Sequence, residues 1–332
     1  MNVEEEGAGA PHRRGRALRW GLAGLAGASV LLSLLNASWI AAQPPGRLIV
    51  VARHGIVQQA APGSGCEAAR MRASEGNDYI ENTLPSLYRA AKLGADAVEV
   101  DVQASADGRA LLFRDADLSC RTNGAGAVRE QSLAALKALD VGYGYTADGG
   151  RTYPLRGRGR GGMPTVEEAL RELPRTEIIF RFVRDDTAEA DALVAALRRA
   201  GEPDASRLGF EGPPSVTGRV RALLPGAWTF APEQGACVPA YFRVGWIGVV
   251  PGACRGATVA LTIGDRWKLW GWPNRFLDRM AAADSRVLMF GEAKDGRLVG
   301  ITDVAQYDKV PSGFRGRLFV EDFYTVGAAL RR

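Results

Sequence analysis

The chain has 332 residues, 46% of them apolar and 24% charged, which is enough to bury a sizeable core and excludes a disordered or fibrous protein. Its formal charge of +5 favours acidic partners such as phosphate groups or anionic lipid surfaces. The arginines are not interleaved with aromatics in a repeating pattern, so no nucleic-acid partner is expected.

Residues 1–19 form a basic tail, and the run from Trp20 to Ala42 carries no formal charge. That run predicts a membrane-spanning helix. Trp20 and Trp39 lie near its ends, and Arg13, Arg14, Arg16 and Arg19 favour an N-in orientation. A signal peptide cleaved near Ile40-Ala41-Ala42 is the alternative. The body, residues 47–332, is therefore expected on the extracytoplasmic (periplasmic or extracellular) side, anchored to the membrane or secreted. Four cysteines, Cys66, Cys120, Cys237 and Cys254, suit such a compartment. Cys237–Cys254 is the expected pair, and four unpaired buried thiols are the alternative.

Leu48–Ala52 is a β-branched run that predicts a buried strand, followed by a polar loop to Asp78. "NTLPSLYRAAKLGA" has helical spacing and ends in glycine. "DAVEVDVQ" and "GRALLFRD" predict strands, "SLAALKAL" and "TVEEALREL" helices, "EIIFRFV" a strand and "TAEADALVAALRRAG" an amphipathic helix. Beyond these, "RLGFEG", "AWTFAPE", "WIGVV" and "WKLWGWP" are strand candidates, with "PPSVTGRVRALL" and "NRFLDRMAAA" as helices. Strands alternating with helices imply parallel βαβ units, most economically a closed (β/α)8 barrel; an open doubly wound sheet is the alternative. Residues 290–317 receive no assignment. "LRGRGRGG", Leu155–Gly162, reads as a flexible basic loop that could grip an anionic headgroup.

His54 and His12 are the only histidines, so the body can bring one imidazole to any site. Residues from about Leu48 to Leu173 carry "RHG", "ENTLPSLYRAAKLGAD", "VEVDVQASADG", "FRDADLSCRTNG" and "MPTVEEAL" in one order. In this the chain resembles the glycerophosphodiester phosphodiesterase family. The resemblance implies a TIM-type barrel with its site at the C-terminal ends of the strands. It also implies hydrolysis of phosphodiesters such as glycerophosphocholine, with two histidines as general acid and base and a calcium or magnesium ion held by three carboxylates.

Glu99 and Asp101 match two of those metal ligands, and their spacing on a strand points both side chains the same way. The rest of the set departs from the pattern. "RHG" puts Arg53 where the family has its first histidine and His54 where it has arginine; "FRD" puts Arg114 at the second histidine. Arg181 stands where the third carboxylate is expected, and Glu177 belongs to the far end of that strand. Arginine neither takes nor gives a proton near neutrality but binds phosphate through a planar fork of donors. A guanidinium at Arg181 could also fill the cation position between Glu99 and Asp101. If Arg53 faces the barrel mouth, strand alternation turns His54 away, unless a bulge swings it inward. Glu81 and Asn82 are expected near the mouth, with Asp115 orienting neighbouring groups.

The expectation is a membrane-anchored protein that recognises a phosphodiester or phospholipid headgroup with metal-dependent hydrolysis lost. No cofactor is then needed, or calcium or magnesium if the metal site survives. Two alternatives stand beside it: an active phosphodiesterase using His54 with Glu99 and Asp101, and a non-catalytic envelope scaffold.

Overall fold

A computed structural model describes residues 11–61, 63–73, 77–232, 235–293 and 297–330, with side chains from residue 19 onward. Most of the basic tail and the ring of His12 lie outside that description. Eight parallel strands form the body: β1 (Leu48–Arg53), β2 (Ala97–Ala104), β4 (Glu177–Phe182), β5 (Leu208–Glu211), β6 (Trp228–Phe230), β7 (Thr258–Thr262), β8 (Arg286–Phe290) and β9 (Gly316–Val320). They pair in the order β6-β5-β4-β2-β1-β9-β8-β7, with β3 (Ala110–Leu112) antiparallel on β2. Sequence neighbours are thus spatial neighbours around a nearly closed barrel. Between β6 and β7, where no ladder forms, the Trp228 indole donates to Thr258 Oγ1 at 3.0 Å.

Helices α2 (Leu84–Lys92), α3 (Leu133–Lys137), α4 (Val166–Glu172), α5 (Thr187–Arg199), α6 (Pro214–Leu223), α7 (Cys237–Val244), α8 (Asn274–Ala282) and α9 (Val304–Tyr307) lie between the strands, and α10 (Phe323–Ala329) follows β9. The sequence explains their ends. Thr165 and Glu168 close a reciprocal capping box at the start of α4, satisfying two backbone N–H groups the first turn leaves free. Asp186 caps α5 by accepting from Ala188 N. The main core lies between strands and helices, where Val98, Val100, Ile178, Phe180 and Phe210 are buried; a smaller cluster with Val51, Ile179, Leu288, Phe290 and Phe319 fills the barrel interior.

Several expectations need correction. The stretch "WIGVV" is a 3-10 turn at Gly245–Ile247 followed by loop, and "WKLWGWP" begins as a 3-10 helix, Ile263–Lys268. Thr262 and Asp265 form a capping box that starts this 3-10 helix, and Trp267 and Lys268 are its last two residues. The loop around Leu155–Gly162 is tied down: buried Asp140 accepts from Gly157 N at 2.5 Å and Gly159 N at 3.1 Å. Both cysteine pairs are bridged, Cys66–Cys120 and Cys237–Cys254.

The uninterrupted span expected over residues 20–42 does not form. Helix α1 (Pro11–Leu35) ends at Leu35, Ser38–Ile40 is a separate 3-10 turn, and no helix among the described residues is long and apolar enough to cross a membrane. Asn36 ends the apolar helix because its side chain is drawn to the body, donating to Trp246 O at 2.7 Å.

Candidate functional site

The barrel mouth is built where β1, β2, β4 and β5 end in register. Arg53 lies opposite Glu99, Asp101 opposite Arg181, and Arg181 opposite Glu211. Glu99 and Asp101 are fully buried, which is tolerable for carboxylates only with partners. They have them. Arg53 Nε lies 3.0 Å from Glu99 Oε2 and its Nη2 3.0 Å from Oε1; its Nη1 reaches Glu321 Oε2 and Leu298 O, each at 3.1 Å. Arg181 spans the two carboxylates, with Nε 3.4 Å from Glu99 Oε1 and Nη2 paired with Asp101 Oδ1.

His54 also faces the mouth, although Arg53 does too. The strand stops at Arg53, and His54 takes a left-handed backbone conformation, φ 59°, so the side chains no longer alternate. Its Nδ1 lies 2.8 Å from Asp101 Oδ2 and its Nε2 4.0 Å from Glu99 Oε1. The turn requires glycine next. Gly55 has φ 80°, and a Cβ there would run into Ser86 Oγ, which accepts from Ile56 N at 2.8 Å. Asn82 locks the corner from the other side: its Nδ2 donates to Asp101 Oδ2 and its Oδ1 accepts from Asp101 N, both at 2.9 Å.

Burial alone would raise the Asp101 carboxyl, but Arg181 and His54 hold it well below the usual carboxylate range. Burial likewise opposes ionisation of Glu321, yet Arg53, His54 and Arg114 bring it down to about 2. Glu211 goes the other way. Burial and the charge on Glu99 push it up to about 8, against Arg53 and Arg181, and its Oε2 finds no hydrogen-bond partner.

A cleft of about 1500 Å³ opens from Arg53 and His54 past Arg114, Asp115, Arg156 and Arg181. The side chains of Arg114 and Arg181 are 23% and 27% exposed, against 8% for Arg53. Arg114 and Arg181 are thus guanidiniums beside the carboxylates that a ligand in the cleft can reach, with Arg156 further out, whereas the donors of Arg53 are already committed. Of the two acids expected here, Asp115 lines this space and Glu81 is buried away from it. Both are held by buried Arg121, whose Nη1 pairs with Glu81 and whose Nε lies 2.9 Å from Asp115 Oδ2. Arg121 Nη2 also lies 2.9 Å from Glu67 Oε2, which lies 3.3 Å from Arg114 Nη2, so this network sets the place of Arg114. Glu177 lies at the far end of β4, where Arg317 Nε donates to it at 2.9 Å. Sequence reasoning missed Arg121, Glu67, Glu211 and Glu321. Glu211 was within reach, since "RLGFEG" puts it at the mouth end of an expected strand.

The donor set does not fit a divalent cation. Asp101 Oδ1 faces Arg181, its Oδ2 faces His54 and Asn82, and both Glu99 oxygens face guanidinium groups. Among the described residues, no group of three or more His, Cys, Asp or Glu side chains is placed to hold a metal ion.

Residues 72–192 match the model of the glycerophosphoryl diester phosphodiesterase family. An uncharacterised protein of Mycobacterium tuberculosis is 31% identical over 126 residues, 37% of this chain and 42% of that one. A glycerophosphodiester phosphodiesterase of Caldanaerobacter subterraneus is 42% identical over 68 residues, 20% of this chain and 28% of its own length. The chain thus spans less than half the length of these curated relatives. In fold it resembles the crystal structure of the glycerophosphoryl diester phosphodiesterase domain of the mycobacterial protein, with a TM-score of 0.61 at 18% identity, covering 86% of this chain and 98% of that one. It also resembles an Oleispira antarctica phosphodiesterase in complex with its product sn-glycerol-3-phosphate, with a TM-score of 0.57 at 19% identity, covering 86% of this chain and 97% of that one.

Proposed function

Because the chain is a member of the glycerophosphoryl diester phosphodiesterase family, we propose that its barrel mouth recognises a phosphate-bearing ligand, a glycerophosphodiester or phospholipid headgroup, without metal-dependent hydrolysis. The observation that carries this reading is Arg181 lying across Glu99 and Asp101, where the resemblance implies a divalent ion. A fixed guanidinium supplies one positive charge and no open coordination position, so with Arg53 it balances the two carboxylates but does not activate a substrate oxygen as a divalent ion does. Arg114 and Arg181 offer accessible cationic donors next to the carboxylates, and charge-assisted hydrogen bonds from guanidinium to phosphate are strong. The product bound by the Oleispira protein suggests the ligand class.

His54 supports a second reading. Its Nδ1 is 2.8 Å from a carboxylate that stays ionised, which places an imidazole at the mouth as a candidate general base. One such group leaves either the attacking water or the leaving oxygen without a proton partner, which is why binding is preferred. The discriminating assay is turnover of glycerophosphocholine by the purified protein, with and without chelator. No turnover above background is expected in either case. Hydrolysis that chelator removes and His54→Ala abolishes would sink the binding reading.

We also infer that residues 47–332 act as one unit outside the cytoplasm. Two disulfides and the arginines ahead of an apolar helix support that location. A reporter fused after Arg332 that works only in the cytoplasm would contradict it.

A further inference from the structure

All but three of the large apolar side chains that the described residues expose lie on α1, on the turn after it, or on the part of the body fastened to its end; Tyr88, Tyr143 and Val304 are the exceptions. This apolar surface begins on α1, where Trp20, Leu22, Leu25, Val30, Leu31, Leu34 and Leu35 are open to solvent. It continues through Trp39 and Ile40 onto the body, where Phe242, Trp246, Ile247, Val249, Trp267 and Trp270 project. The two parts are fastened together. Asn36 Nδ2 donates to Trp246 O at 2.7 Å, Arg279 Nη2 to Leu35 O at 2.9 Å, and Asn274 N to Ser38 Oγ at 2.8 Å. Phe242 and Trp267 meet edge to face with centroids 5.8 Å apart.

An apolar surface of this extent is covered in use. Its shape and chemistry say by what. At 100° per residue, Leu22 and Leu25 point away from Leu31 and Leu34, so α1 is apolar on opposite sides. A folded partner covers one side of a helix, whereas lipid surrounds it. The indoles at its base are prepared for a nonaqueous setting. Trp270 Nε1 donates to Phe242 O at 2.9 Å and Trp246 Nε1 to Arg243 O at 3.1 Å, so neither ring carries an unpaired donor into lipid. Around them Arg243, Arg266 and Arg275 pair with no carboxylate among the described residues. Asp265 is taken by Lys268 at 2.8 Å, which leaves Asp278 as the exposed acid of α8. The balance at this face is positive.

We propose that this face docks on an anionic lipid surface, with Phe242, Trp246, Trp267 and Trp270 at headgroup level and the apolar length of α1 immersed beside them without crossing. Tryptophan prefers that depth, and arginine meets lipid phosphate there. The proposal is independent of what the barrel mouth binds.

The test uses the full chain and vesicles of phosphatidylcholine containing one third phosphatidylglycerol. Wild-type protein should sediment with these vesicles, and lipids brominated near the headgroup should quench its tryptophan emission. The triple variant Trp246→Gln/Trp267→Gln/Trp270→Gln, with α1 intact, should partition at least tenfold more weakly. Trp267→Gln alone guards against misfolding, since that side chain is 73% exposed, and it should weaken binding severalfold. Variants that partition as tightly as wild type would overturn the proposal. So would a wild-type protein that ignores vesicles but forms a dimer lost on these substitutions.

Discussion

Arg53 and Arg181 both reach the carboxylates of β2, but they are not equivalent. Arg53 is enclosed, with every nitrogen of its guanidinium engaged by Glu99, Glu321 or Leu298 O. Removing it leaves two buried carboxylates short of a partner, a change that typically costs about 3–5 kcal/mol. Arg53→Ala should lower unfolding stability by that order in urea titrations, whereas a loss under 1 kcal/mol would mean the pair is dispensable. Glu211 makes the opposite kind of prediction. Its folded value of about 8 lies above the ordinary 4.5, so the native state holds a proton that the unfolded chain releases. Stability therefore falls as pH rises from the ordinary value through about 8. Glu211→Gln should remove this dependence and raise the melting temperature relative to wild type at pH 9 more than at pH 5. Equal shifts at both pH values would show that Glu211 does not hold its proton in the fold. The sequence made Glu99, Asp101 and Arg181 legible because each occupies a fixed place on an alternating strand. It hid Arg121, whose importance comes from Glu67, Glu81 and Asp115 converging from three separate segments.

Among the elements, the corner after β1 decides the site. Strand alternation says that adjacent residues face opposite ways, and that rule turns His54 from the mouth as long as the strand continues. It stops one residue earlier, because Gly55 and Asn82 permit a left-handed step that no periodicity announces. Gly55→Ala puts a Cβ at φ 80° against Ser86, so it should destabilise by roughly 1–3 kcal/mol. It should also move the NMR resonances of the His54 ring. A variant as stable as wild type with an unmoved His54 signal would contradict this account of the corner. The same competition between local rule and context explains the strands that were misassigned. "WIGVV" and "WKLWGWP" hold residues that favour strands, but Trp246, Ile247, Val249, Trp267 and Trp270 sit exposed while Leu269 and Trp272 reach the core from outside the barrel. Meanwhile β7, β8 and β9 run through short segments such as "TVALT" and "GRLFV" that give little periodicity to read.

For the molecule as a whole, the order of elements was readable as parallel βαβ units, and the barrel order of the strands follows from it. The boundary of the N-terminal helix was not, because its end at Leu35 is set by contacts of Asn36 and Arg279 more than two hundred residues apart in the chain. We propose that fixed guanidinium groups stand in for a cation at the barrel mouth. Titration calorimetry of sn-glycerol 3-phosphate into the protein tests it most directly, first in excess chelator and then in millimolar calcium. The same affinity is expected in both, weakened about tenfold or more by Arg114→Ala. Binding that appears only with calcium, and vanishes in Glu99→Gln, would contradict it.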